Sequence, residues 1–159
     1  MKEPFRINNG VLLKYYGNDR IVYIPDNIKE IGEKAFHNKS SLEEVILPES
    51  VSIIGASGFN KCINLKRIHL PNSIQKIEKC AFSMCYSLVS INLPDTLEEI
   101  SDYCFRNCCS LESIVLPAKL RRIGFKSFCD CKKLTSIELP EFLDEIDGHA
   151  FEACIKLKK

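Results

Sequence analysis

Residues 42–48 read Leu-Glu-Glu-Val-Ile-Leu-Pro, and the chain returns to this pattern at a constant step. Pro25, Pro48, Pro71, Pro94, Pro117 and Pro140 stand 23 residues apart. Phe36, Phe59, Phe82, Phe105, Phe128 and Phe151 keep the same interval, as do Leu42, Leu65, Leu88, Leu111, Leu134 and Leu157. A fixed period of this length marks a repeat array, in which each unit buries its apolar face only against its neighbours.

Within one period, Val45 and Leu47 alternate with Glu44 and Ile46. A period of two describes a strand with one face buried, and the parallel recurrence predicts a parallel sheet with one strand per repeat. Proline cannot donate to a ladder, so it closes each strand. The aliphatic pairs that follow it, such as Ile28/Ile31 and Ile74/Ile77, are expected to point into the same interior. Gly32, Gly55 and Gly124 mark bends in the chain. The segment Ala81-Phe82-Ser83-Met84-Cys85 and its equivalents space Phe and Cys three apart, which predicts a one-turn helix stabilised only by the stack.

Before the first period the pattern differs. Phe5-Arg6-Ile7 and Val11 to Tyr16 are β-prone runs separated by Asn8-Asn9-Gly10, whose Asn-Gly pair suits a tight hairpin turn. Residues 1–24 are therefore expected to form an N-terminal β cap, a meander that covers one end of the core, and residues 25–159 a single domain of six repeats. At the other end, Ile155 to Lys159 begins a seventh unit without a capping segment, and the resulting sheet edge has three readings: lysines that guard it, self-association through it, or continuation in a longer array.

Composition narrows the function. The 22 basic and 21 acidic residues give a net charge of +1, which argues against nucleic acid and anionic membrane surfaces as partners. No apolar run is long enough to span a bilayer, and the first residues lack the apolar core of a secretory signal. If Met1 is the natural start, a cytoplasmic location is expected; a piece of a longer chain would be consistent with the cell surface instead. Of the nine cysteines, Cys62, Cys85, Cys108, Cys131 and Cys154 fall on the period and read as reduced core residues. Cys104, Cys108, Cys109, Cys129 and Cys131 resemble a zinc set only superficially, because side chains at equivalent repeat positions run parallel instead of converging. No phosphate loop, His-Glu-x-x-His or nucleophile elbow occurs, so neither an enzyme nor a cofactor is expected.

Leu-Pro-x-x-Ile-x-x-Ile followed by Ala-Phe-x-x-Cys-x-x-Leu, as in residues 70–88 and, with Leu143 as the first aliphatic, 139–157, resembles the BspA-type leucine-rich repeat family. The opening segment from Ile7 to Pro25 is similar to that family's start. The resemblance implies a right-handed leucine-rich-repeat solenoid with a concave parallel sheet. It also implies a non-catalytic binding role, often at the surface of bacteria or protozoa. Lys39 stands where the other five repeats carry cysteine, and Gly58, Cys104 and Ser127 replace the alanine before phenylalanine.

The concave face should display one column of Tyr23, Ile46, His69, Asn92, Val115 and Glu138, flanked by Glu44 and Arg67 in the neighbouring column. Apolar anchors with a polar surround are what a protein partner requires. The alternatives are a structural or spacer unit, an adhesin-type fragment of a longer array, and redox sensing by an exposed Cys109 or Cys129. Opposite charges in successive repeats, Glu98-Glu99, Arg121-Arg122 and Asp144-Glu145, read as a device that holds register.

Overall fold

The computed structural model describes residues 3–158. Its strands are β1 (Phe5–Asn8), β2 (Val11–Tyr15), β3 (Ile21–Tyr23), β4 (Glu30–Ile31), β5 (Glu44–Ile46), β6 (Ile53–Ile54), β7 (Arg67–His69), β8 (Lys76–Ile77), β9 (Glu99–Ile100), β10 (Arg122–Ile123) and β11 (Glu145–Ile146). They wind as a solenoid with two parallel strand tracks. On the first, β3, β5 and β7 pair in the order predicted by the period, Val22 beside Val45 beside Ile68. The track continues beyond β7 as single bridges, Asn92 to Val115 and Ser113 to Ser136. The second track, not expected from the sequence, holds the aliphatic positions after each proline. There β2, β4, β6 and β8 form one run and β9, β10 and β11 another.

The core contains a single file of rings. Phe36, Phe59, Phe82, Phe105, Phe128 and Phe151 stack with centroid separations of 5.0, 5.6, 5.5, 5.4 and 5.4 Å. Tyr15 extends the file at 5.0 Å from Phe36, and Phe5 tilts against Tyr15 at 5.3 Å. Phe36 to Phe128 are fully buried, and each such ring removes on the order of 150 Å² or more from water.

The expected one-turn helices are absent; among the described residues there is no helix. Helices need 8–10 Å between axes, roughly twice the step between rings here, so the arc of each coil must lie flatter. It does so by dividing its amides between two directions. Ala81, Ser83 and Cys85 donate within the coil to the carbonyls of Glu78, Cys80 and Phe82 at 3.2, 3.1 and 3.2 Å. The intervening Cys80, Phe82 and Met84 donate to Asp102, Cys104 and Arg106 of the next coil at 3.0, 2.9 and 2.7 Å. This zigzag requires left-handed backbone at two positions of each coil, with φ of 58° at Cys80 and 60° at Met84. The residues there are seldom those that favour it.

The periodic cysteines complete the ladder. Cys62, Cys85, Cys108, Cys131 and Cys154 each place Sγ 3.0–3.2 Å from the carbonyl of the phenylalanine one coil earlier. Burial pushes the Cys62 thiol up to about 12 and raises those of Cys85 and Cys108. Gly32, Gly55 and Gly124 act by close approach, not by positive φ: a Cβ on Gly55 would lie 2.8 Å from the Ile31 carbonyl oxygen.

At the N-terminal end, β1 and β2 form the antiparallel hairpin expected, turning through Asn9 and Gly10 with φ of 48° and 77°. Only β2 joins the second track, beside β4, whereas β3 opens the first track. The segment is thus a hairpin plus a separate strand, not a continuous meander.

Candidate functional site

Alternation along the first track sends Val22, Val45 and Ile68 inward and leaves their neighbours outward. Within the column expected from the sequence, Tyr23 lies beside Ile46 and Ile46 beside His69, while Asn92 bridges to Val115. Tyr23 is 71% and Val115 81% exposed, Ile46 is half-buried, and His69, Asn92 and Glu138 are exposed. Ile21 joins them at the edge of the column, with Glu44 and Arg67 following it along the neighbouring one.

Electrostatics order the first three coils of this face. Glu44 accepts from Arg67 Nη2 at 2.9 Å and pairs with His69 Nε2 at 2.7 Å, so it fixes two columns at once. The hydrogen bond from Arg67 is the leading reason its carboxyl lies below the usual range. Glu43 accepts from Arg20 Nε at 2.8 Å and Lys66 Nζ at 3.0 Å, and these bonds, Arg20 first, bring it down to about 2.

The last two coils present a different surface. Val115, Leu116, Ala118, Ile137, Leu139 and Pro140 border an apolar groove of about 440 Å³, with Glu138 on its rim. No discernible sequence signal points to this groove, because it forms where the strands give way to single bridges.

A second charged cluster lies on the other track. Arg122 pairs with Glu99 at 2.6 Å, Asp102 at 2.9 Å and Glu145 at 3.7 Å, and also with Asp147. Burial opposes its charge, but the bonds to Asp102 and Asp147 outweigh this and raise its pKa. The charge alternation expected between coils is thereby realised, with Arg121 to Asp144 at 3.6 Å beside it. Asp102 and Asp147, which complete the cluster, lie outside the alternating pairs that the sequence displays.

Among the described residues no group of three or more His, Cys, Asp or Glu side chains is placed to hold a metal. Cys104, Cys108 and Cys131 lie in the core; Cys129 is buried beside Asp130 and Glu152, with its Sγ at 3.5 and 3.8 Å from their carboxylates. Cys109 is half-buried. No described helix is long and apolar enough to cross a membrane.

The family model for the BspA type leucine-rich repeat region matches in six copies, over residues 14–109 and 98–159. Among solved structures, a leucine-rich repeat protein of T. pallidum is 29% identical with a TM-score of 0.75, covering 93% of this chain and 82% of its own. A leucine-rich cell surface protein from Faecalibacterium prausnitzii is 25% identical with a TM-score of 0.81, over 97% of this chain and 51% of that one. A leucine-rich repeat protein from Bacteroides ovatus is 30% identical with a TM-score of 0.68, over 94% and 47%. The chain thus spans about half the length of the latter two. No curated protein matches. None of the matches indicates a catalytic family.

Proposed function

Since this chain belongs to the BspA-type leucine-rich repeat family, we propose that it is a non-catalytic module that takes a protein partner on the outward face of the first strand track. The observation that carries the reading is the outward exposure of Tyr23 and Val115 in a column whose alternate residues already supply the core. Apolar side chains that do nothing for the fold are the anchors an interface uses. Full burial of one by a partner contributes about 1.5–3 kcal/mol.

The test is capture of a partner from source-cell extract by the immobilised chain, compared with Tyr23→Ala and Val115→Asp. Both variants should lose most of the capture while unfolding within a few degrees of the parent. Undiminished capture by both would reject this face as the site.

A second reading is favoured by the partial coverage of relatives: the chain is one stretch of a longer array that acts as a spacer or surface-displayed unit. Its compartment would then be the cell surface. Under that reading the face variants behave as the parent in every assay of the longer protein.

A further inference from the structure

If the outward face of the first track takes a protein partner, the chemistry of its two halves specifies the segment that lies on it, and the inference depends on that reading. In the first three coils the cationic side chains of Arg20, Lys66 and Arg67 are 75%, 55% and 68% exposed. The two carboxylates they pair with, Glu43 and Glu44, are only 25% and 17% exposed. Each glutamate sits beneath its cations, already engaged by two donors.

Arg122 shows what pairing for register alone looks like in the same molecule. That guanidinium is 31% exposed and enclosed by carboxylates of Glu99, Asp102, Glu145 and Asp147. At Arg20 and Arg67 the arrangement is inverted, with the cation outermost. Each guanidinium retains N–H groups free for a bidentate carboxylate.

Past these coils the face becomes neutral at Ser90 and Asn92, then apolar in the groove beside Val115 and Leu139, with Glu138 repelling acids at its rim. Arg67 and Val115 belong to coils two steps apart. At about 4.8 Å per step that is roughly 10 Å, the reach of about three residues of extended chain.

We propose that the partner segment on this face is an extended stretch carrying adjacent carboxylates and, about three residues away, an aliphatic side chain. The carboxylates dock on Arg20, Lys66 and Arg67, and the aliphatic group fills the groove between Val115 and Leu139. A polyanion of uniform charge does not fit, because the acidic rim at Glu138 would face its far end.

The test uses a phage-displayed library of random peptides selected on the intact chain, with the best binders remade as fluorescent peptides for anisotropy. The expected enrichment is of paired Asp or Glu spaced from Leu, Val or Ile by about three positions, in either chain direction. Arg67→Gln, Arg20→Gln and Val115→Asp should each weaken the selected peptide by roughly fivefold or more, and added salt should weaken it further. Lys79→Glu, an exposed charge change away from the face, should leave it unchanged.

Enriched peptides without acids that still lose binding to Tyr23→Ala would overturn the acidic segment and leave the face standing. Peptides indifferent to every face variant would overturn both, as would selection that yields no binder. The two arginine variants act independently, so misfolding of one leaves the other to decide.

Discussion

The ammonium of Lys39 lies 5.2 Å from the centre of the Tyr15 ring and donates to the Gly17 carbonyl at 2.9 Å. It does so in the single repeat whose periodic cysteine is missing. The lysine ties the N-terminal hairpin to the array at the position from which the other repeats' cysteines reach back to the coil before them. Lys39→Ala should destabilise the protein by about 1–2 kcal/mol in urea unfolding, from the lost charged hydrogen bond and ring contact. Amides of β1 and β2 should exchange faster than in the parent, while those around Phe105 should change least.

Phe82 is fully buried between Phe59 and Phe105, whereas Phe151 is partly buried and has Phe128 on one side. Truncating the first leaves a cavity inside the stack. Phe82→Ala should therefore cost about 3–5 kcal/mol and Phe151→Ala about half of that or less. Equal losses in denaturant titrations would contradict a column with a protected middle.

Lys61 has a φ of 61° and an exposed side chain. Glycine adopts that backbone without the cost of about 1–2 kcal/mol borne by other residues, offset in part by its greater freedom when unfolded. Lys61→Gly should raise stability by about 0.5–1 kcal/mol, read as a higher denaturant midpoint. A lower midpoint would mean that the side chain contributes more than its backbone costs.

Glu43 has an ordinary value of 4.5 brought down to about 2 by Arg20 and Lys66. A carboxyl lowered in the folded state contributes stability that is complete above pH 4.5 and is lost as pH falls toward 2. Thermal unfolding of the parent should weaken through that window, and Glu43→Gln should remove part of the decline while changing little of its shape near neutrality.

Much of this architecture can be read from residue types at fixed intervals. The file of phenylalanines, the inward Val45 and Ile68 and the outward Tyr23 and Val115 follow from the period, because equivalent positions must occupy equivalent places. The arc misleads because a Phe–Cys spacing of three suits a helical turn and a flat zigzag alike. The distinguishing signal, positive φ, falls on Cys80, Met84 and Tyr103, where no glycine announces it. Tyr15 joins the ring column although it stands two places from the position 23 residues before Phe36 would predict, so no interval could reveal it. Arg122 gathers four carboxylates from the two coils on either side of its own, and only the stacking geometry shows that Asp102 and Asp147 are within its reach.

The amides of Phe36, Phe59, Phe82, Phe105 and Phe128 all donate forward, to the coil that follows. Every coil is therefore a plug on one side and a socket on the other, and its length is quantised. Excising residues 72–94 as a unit should splice Phe59 onto Phe105 and leave a shorter rod of the same cross-section. Removing one residue fewer would put every later side chain out of phase.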